Sequence, residues 1–317
     1  MRQDDVTKFV TALDDRNMYY RRNRTPQVVI AVLLLCVLAA ALTMEHEKNV
    51  NDANYHLASA DERVIWNVDH IVSTDRKLSQ KINEIINQNI TAYMSTAEKV
   101  KVVHDYIVLH CSYDYDNYIQ GTIPNDSYSP RGVLINGKAV CEGYSAAFKA
   151  FMDELEIPCK IIVGTSGQSI DGTENHAWNI VQVDGDWFQI DVTWDDPVPD
   201  SQGIVHYNYF LVPDSVMEED HYWEHSEYPA CTVESDSFVS LLGPVCQNGQ
   251  EIENQLYSFY VNDADVYTII VPESLISNYE ELFPYVWKVE KRFHIQLPNT
   301  VSTQHYGSYS IYTLTIM

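Results

Sequence analysis

The most regular hydrophobic pattern in the chain predicts a helix that ends shortly before Pro158. Apolar residues follow one another at steps of three and one, which places them on a single face of an α-helix. Cys141 lies on the same face, three residues before the first of them. The stripe consists of Tyr144, Ala147, Phe148, Phe151, Met152 and Leu155.

The position of Cys141 at the expected start of this helix has chemical consequences. Free backbone N–H groups and the positive end of the helix dipole stabilise a thiolate there. Gly143 keeps the surface beside the thiol open. The alternative is a buried, unreactive cysteine that begins a core helix.

Two further helices are predicted before this one. Leu78, Ile82 and Ile85 recur at helical spacing, and Ser95 with Glu98 has the form of a capping box ahead of a second apolar run. Residues 113–129 are rich in Asp, Tyr and Asn, which predicts a surface loop.

Strand-like runs follow at residues 176–183 and 187–192, separated by Asp184-Gly185, a two-residue hairpin signal. This turn places each residue of the first strand opposite the residue of the second strand for which the two residue numbers sum to 369. His176 and Asp191 then become diagonal neighbours on one face, roughly 7–8 Å apart at the backbone. A slip of one residue would move Asp191 to the opposite face.

The N-terminal region suggests a membrane segment. Residues 28–44 contain no charge, and arginines lie just before them, so an anchor with a cytoplasmic N-terminus is expected; a cleaved signal peptide is the alternative. We therefore divide this region into a cytoplasmic tail (1–25), an anchor or signal (26–44) and a polar stalk (45–60). Either alternative exports the remainder of the chain, so the protein is expected at the cell membrane or secreted.

The net charge of −25 narrows the range of partners. Residues 1–25 carry +2, so the rest of the chain carries −27. Such a surface repels phosphate backbones and anionic lipid head groups, so neither nucleic acid nor peripheral membrane binding is expected.

The cysteines beyond the membrane segment are odd in number, which suggests at least one free thiol in an exported domain. Cys141 is the candidate. A disulfide between Cys231 and Cys246 remains open, as does the simpler interpretation that the others are small buried hydrophobes. These cysteines are Cys111, Cys141, Cys159, Cys231 and Cys246.

Three residues supply the components of thiol chemistry. A cysteine nucleophile needs a base for its proton and a third group that orients the base. Cys141, His176 and Asp191 provide them in that order. A rival H-x-x-E-H zinc string at residues 221–225 would need a helix and a third ligand, and nearby prolines disfavour that helix. We expect no metal and no cofactor.

Residues 97–225 resemble the bacterial transglutaminase-like domain, a branch of the papain-like cysteine fold. The resemblance implies that Cys141 is the nucleophile, His176 the base and Asp191 the orienting residue. The matching segments are 104–106 (HDY), 113–116 (YDYD), 136–144 (NGKAVCEGY), 157–159 (IPC), 176–179 (HAWN) and 187–197 (WFQIDVTWDDP).

An oxyanion needs hydrogen-bond donors, and the backbone N–H of Cys141 is the first candidate. Asn136 and Tyr144 are further candidates for this role. Trp178 is the tryptophan that we expect to touch substrate.

The expected fold is α+β. A papain-like core at residues 61–230 packs the cysteine-bearing helix on an antiparallel sheet. Residues 231–317 are expected to be a small β-rich accessory region of unknown role, with strands at 266–271 and 309–316.

The expected function is acyl transfer on protein or peptide amides through a cysteine thioester. Resolution by water would make the protein a peptidase or amidase, and resolution by an amine would make it a transglutaminase. We favour water, because nothing in the sequence indicates a lid that excludes it. The alternative is a non-catalytic protein-binding module on the same fold at the cell surface.

Overall fold

The computed structural model describes residues 68–167, 173–196, 198, 203–264, 266–298 and 300–315. The predicted tail, anchor or signal segment, and stalk lie outside these residues. Within the described ranges we find no helix with the length and hydrophobicity that crossing a bilayer requires.

Helices and short strands alternate in the first half, and a second set of helices and strands follows. The α-helices in the described residues are α1 (Val68–Thr74), α2 (Arg76–Asn89), α3 (Thr96–His110), α4 (Tyr115–Gln120), α5 (Cys141–Glu154), α6 (Asp214–Met217), α7 (Val239–Leu242), α8 (Gly249–Val261) and α9 (Phe283–Phe293). The strands are β1 (Ser112–Tyr113), β2 (Lys138–Ala139), β3 (Cys159–Ser166), β4 (Glu174–Val183), β5 (Asp186–Ile190), β6 (His221–Tyr222), β7 (Val266–Pro272), β8 (Thr300–Tyr306) and β9 (Tyr309–Thr315).

The two helices predicted before the cysteine are confirmed. Helix α2 buries Leu78, Ile82 and Ile85. Helix α3 begins with the predicted capping box, in which Ser95 and Glu98 satisfy each other's backbone N–H groups.

Helix α5 is the centre of the main core. It begins at Cys141, and most of its residues are buried because it packs against strands, helices and a 3-10 turn at once. The expectation that Gly143 keeps the surface beside the thiol open is wrong: Gly143 is buried, and it permits close packing, since a Cβ atom there would lie 2.4 Å from the backbone oxygen of Ser127. The predicted helix is confirmed, and so is the position of the cysteine at its first residue.

The main sheet has the strand order β5-β4-β3-β6, and its strands are antiparallel. The β4–β5 register confirms the predicted sum, with Asn179 opposite Ile190 and Val183 opposite Asp186. Asp184 and Gly185 have φ of 52° and 100°, as a hairpin turn with two left-handed residues requires. The ladder ends at Ile190, and Asp191 leaves the strand by bonding its N–H to the Tyr209 carbonyl at 3.1 Å.

The segment predicted as a surface loop at residues 113–129 contains helix α4 and a 3-10 turn at Asn125–Tyr128. The buried carboxylate of Asp114 organises it by accepting hydrogen bonds from Asn117 and Ser127. The polar composition predicted a loop because it gives no sign of the buried Asp114, whose hydrogen bonds stabilise this local helical structure.

The C-terminal region contains more helix than its sequence suggested. Its antiparallel sheet has the order β7-β9-β8 and includes both predicted strands, but helices α8 and α9 pack against that sheet around a core of their own. The description as β-rich is therefore incomplete.

The cysteines in the described part of the chain carry free thiols and are buried. Cys231 belongs to the main core and Cys246 to the C-terminal core. The structure therefore contradicts a disulfide between them.

Candidate active site

Cys141 is the first residue of α5 and its side chain is nearly buried. The thiol donates to the Glu142 carboxylate at 3.1 Å. The Ser145 hydroxyl lies 2.8 Å from the Cys141 carbonyl and 2.7 Å from the Ala177 carbonyl. This hydroxyl therefore ties the start of the helix to β4 beside His176.

His176 and Asp191 meet as the hairpin predicted. The His176 Nε2 atom lies 2.5 Å from Asp191 Oδ2. The other carboxylate oxygen accepts from the backbone N–H groups of Thr193 and Trp194, at 2.9 and 3.1 Å. Because Asp191 has just left β5, its side chain is held by the turn that follows.

The charge of Asp191 is stabilised although the residue is buried. Burial opposes ionisation, but the histidines His176 and His221 outweigh it and hold the pKa of Asp191 well below its usual value. A buried, ionised carboxylate fixes the orientation of the imidazole it contacts.

Cys141 and His176 line one cavity of about 530 Å³, together with Thr193 and Trp194. Since Nε2 of His176 is bound to Asp191, Nδ1 is the ring nitrogen left to exchange a proton in this cavity. The remaining lining residues are Tyr113, Tyr118, Ile123, Tyr128, Val140, Glu142, Ser166, Gly167, Glu174, Asn175 and Val198.

The thiol is held in its protonated form. Burial, followed by the neighbouring Glu142 carboxylate, raises the pKa of Cys141 well above its ordinary value, while the Ala177 backbone opposes that rise. A helix start alone was expected to favour the thiolate. The structure shows that burial and an adjacent carboxylate outweigh it, so the cysteine needs a base.

Asp191 has a second histidine partner. His221 Nε2 lies 3.0 Å from Asp191 Oδ2, and His221 Nδ1 lies 2.7 Å from Asp220 Oδ1. His221 is on β6, thirty residues from Asp191, and is completely enclosed.

Among the described residues, His176, Asp191 and His221 form a group with the spacing of potential metal ligands. Two ligands of one tetrahedral zinc ion would lie roughly 3.3 Å apart, given metal–ligand bonds of about 2.0–2.1 Å. The observed N···O distances are 2.5 and 3.0 Å. They fit hydrogen bonds through one carboxylate oxygen better than a metal centre.

The H-x-x-E-H string does not form a zinc site either. His221 lies on a strand, whereas Glu224 and His225 are exposed at the following 3-10 turn. The His225 Nδ1 atom lies 3.7 Å from the Glu218 carboxylate.

Three other candidate residues do not line the cavity. Asn136 is exposed and donates to Asp126 at 3.1 Å. Tyr144 is fully buried, with its hydroxyl 2.5 Å from Asp196. Trp178 is also buried; its ring stacks on His176 with centroids 5.8 Å apart. Trp178 therefore packs against the proposed base, and its contact with substrate stays a prediction.

The site contains residues that the sequence did not reveal. Glu142 was visible beside the cysteine, but its contact with the thiol depends on the rotamer. Glu174 lies two residues before His176 on β4 and accepts a hydrogen bond from the Tyr118 hydroxyl. In the sequence, His221 stands out only as the first residue of the H-x-x-E-H string.

Comparison with known proteins agrees with this geometry. Residues 83–192, which run from α2 to just past Asp191, match the family model described as the transglutaminase-like superfamily. This segment is a transglutaminase-like domain.

Curated proteins similar to this chain include the kyphoscoliosis peptidases of mouse and human. The mouse protein is 27% identical over 188 residues and the human protein is 26% identical over 190. Each match covers 56% of this chain and 26% of the relative, so the chain spans about a quarter of their length. A solved structure described as a TGase has 22% identity and a TM-score of 0.30, covering 48% of this chain and 37% of that one.

Proposed function

We propose that the protein is a cysteine acyl-transfer enzyme that acts on protein or peptide amides. The observation that carries the proposal is the 2.5 Å contact between His176 and Asp191, on an imidazole that shares a cavity with the Cys141 thiol. Nucleophile, base and orienting carboxylate form such a unit in covalent catalysis.

The reaction begins with the thiol in its protonated form. His176 Nδ1 takes the Sγ proton as the sulfur attacks the carbonyl carbon, and the Cys141 backbone N–H stabilises the resulting oxyanion. The imidazolium then gives its proton to the leaving amine as the C–N bond breaks. A thioester on Cys141 remains.

The thioester is resolved by water or by an amine, with His176 again acting as base. We favour water. The cavity of about 530 Å³ exceeds the space of a single water many times over, since one water occupies roughly 30 Å³ in the liquid. Hydrolysis makes the protein a peptidase or amidase.

A non-catalytic binding module is the second candidate. The buried thiol favours it, because burial and Glu142 raise the pKa of Cys141 and a protonated thiol is a weak nucleophile.

The proposal is tested by measuring how much of the Cys141 thioester reacts with water and how much reacts with an amine. The purified protein is incubated with a glutamine-containing peptide, with and without a fluorescent primary amine. We expect ammonia release that depends on Cys141 and little amine incorporation. The matched control is Cys246→Ser, a buried thiol of the C-terminal core. Amine incorporation that exceeds hydrolysis would make the protein a transglutaminase, and no reaction on any amide would favour the binding module.

The location of the protein in the cell is a second part of the proposal. We infer a membrane-anchored protein with a cytoplasmic N-terminus and an external catalytic domain, from the uncharged residues 28–44 and the preceding arginines. Protease added to intact cells should digest the domain and leave an N-terminal tag protected. A mature protein that starts near Leu42 would instead show a cleaved signal.

A further inference from the structure

The contact between His221 and the orienting carboxylate has no role in the mechanism above. Both histidines bond the same oxygen, Asp191 Oδ2, at 2.5 Å for His176 and 3.0 Å for His221. Their ring centroids lie 5.4 Å apart. The orienting carboxylate is therefore shared between the base and a second imidazole.

The two partners of His221 determine its charge. Its Nε2 faces Asp191 and its Nδ1 faces Asp220, at 3.0 and 2.7 Å. An ionised carboxylate only accepts hydrogen bonds, so each ring nitrogen must carry a proton to bond both. Burial disfavours the charged ring, but the hydrogen bonds to Asp191 and Asp220 outweigh it and raise the pKa of His221.

The surroundings hold this arrangement in place. The Tyr209 hydroxyl donates to the other Asp220 oxygen at 2.6 Å, which keeps that carboxylate turned towards His221. The rings of Trp178 and Trp194 lie against His221, with centroids 5.0 and 4.6 Å away. The titratable groups that face His221 from the packed elements are His176 on β4, Asp191 after β5, Tyr209 before α6, and Asp220 on the adjoining turn.

We propose that His221 is a positioning residue: as an imidazolium between Asp191 and Asp220, it shares the carboxylate that orients His176 and so sets the pH range in which His176 accepts and returns the thiol proton. The proposal rests on the proposed acyl-transfer function. Two like charges 5.4 Å apart repel, so the charge on His221 makes His176 a weaker base than Asp191 alone would make it. A weaker base releases its proton to the leaving amine more readily.

Removal of the second charge tests this role. His221→Gln keeps an N–H donor for Asp191 but carries no charge, and Asp220→Asn removes the carboxylate that holds the second ring proton. The rate of Cys141 alkylation by iodoacetamide and the rate of acylation by p-nitrophenyl acetate are measured from pH 5 to 10. We expect both profiles to move to higher pH, by on the order of one unit for His221→Gln and less for Asp220→Asn.

The matched control is His305→Gln, which removes an exposed histidine that pairs with Glu273 in the C-terminal region. It should leave both profiles in place. A His221→Gln protein that loses rate at every pH with unmoved profiles would show a structural role only and would overturn the proposal. Absence of acylation in the wild type would refute acyl transfer. The pH profile of Cys141 alkylation would still show whether His221 has the proposed positioning role.

A direct measurement covers the case in which His221→Gln does not fold. Nitrogen NMR of the histidine rings in the wild-type protein reports the protonation of His221 itself. We expect an imidazolium that persists above pH 7.5. A neutral His221 ring at pH 7 would overturn the proposal.

Discussion

Cys141 experiences opposing influences from its two neighbours. Glu142 accepts the thiol proton at 3.1 Å and favours the protonated form, whereas the Ala177 backbone favours the thiolate. The balance lies on the protonated side because burial raises the pKa of Cys141 most, and Glu142 raises it further. Glu142 is therefore one contribution to the reactivity of the cysteine that a single substitution can remove.

Glu142→Gln should lower the pKa of Cys141, because it removes a negative charge beside the thiol. The pH profile of iodoacetamide alkylation should move to lower pH by about one unit. Glu154→Gln, at the exposed far end of the same helix, is the control and should have no effect. An unmoved profile in Glu142→Gln would show that burial alone protects the thiol.

The chemistry of single residues could be predicted only in part. Motif and spacing correctly predict that His176 contacts Asp191 and that Cys141 lies beside His176, whereas the catalytic roles of the three residues stay predictions. Asn136 and Tyr144 do not reach the cavity, because Asn136 ends an exposed π-helical turn before β2 and Tyr144 lies on the buried face of α5. His221 joins the site from a two-residue strand thirty positions away, which no local pattern signals.

The β4–β5 hairpin is the element that brings the base and its carboxylate together. Its turn has both central residues at positive φ, and Gly185 at 100° has no atom near the position of a Cβ. The register therefore depends on the backbone freedom of glycine rather than on side-chain packing. This part of the fold could be predicted because turn chemistry is local.

Gly185→Ala should destabilise the protein by about 1–2 kcal/mol, the cost of a positive φ for a residue with a side chain. Urea unfolding measures this loss. Asp186→Ala, beside it in the exposed start of β5, is the control. A loss within about 0.5 kcal/mol, the usual range of surface substitutions, would show that the turn does not fix the register.

Helix α3 is joined to the segment after β5 by a buried histidine. His104 lies 3.0 Å from Asp105 and 3.2 Å from Asp195. Burial lowers the affinity of His104 for a proton, but the two carboxylates outweigh burial and raise its pKa to about 9. The protonated ring therefore stabilises the folded chain.

The free energy of unfolding should fall as the pH rises from about 6.5, the pKa of unfolded histidine, towards 9. The sign follows from the higher pKa in the folded state, whose contribution is complete below 6.5 and lost above 9. The loss should reach roughly 3 kcal/mol. His104→Gln should reduce this slope, and urea titrations at several pH values measure it. If the free energy of unfolding fell equally steeply with pH in the wild type and in His104→Gln, a group other than His104 would cause the effect.

Elements with strong periodicity were predictable, and short ones were not. Helix α5 has a continuous apolar stripe, whereas α4 has six residues and no buried side chain. Helices α8 and α9 carry buried positions, but each depends on the sheet beside it to cover them. Contacts with the rest of the fold therefore stabilise these helices, and the local sequence pattern does not contain that information.

The whole molecule combines a strongly negative charge with an internal site in which two histidines share the carboxylate of Asp191. Its net charge of −25 disfavours polyanionic partners. The distances within the group of His176, Asp191 and His221 are those of hydrogen bonds. Catalysis is therefore expected to use side chains rather than a bound ion.

Treatment with EDTA should leave the rate of acylation by p-nitrophenyl acetate unchanged, because the base and its carboxylate already bond each other. The measurement compares treated and untreated protein over one set of substrate concentrations. A loss of rate that added zinc restores would contradict the hydrogen-bonded assignment.

The proposed mechanism requires a covalent thioester intermediate at Cys141. Intact-mass measurement after brief exposure to p-nitrophenyl acetate should find one acetyl group on the wild-type protein. Cys141→Ser should fold but carry none, since serine lacks the acidity of a thiol, and His176→Ala should behave similarly. The double variant should be little worse than either, because the two residues act as a unit. Full turnover by Cys141→Ser on any substrate of the wild type would contradict the thiol mechanism.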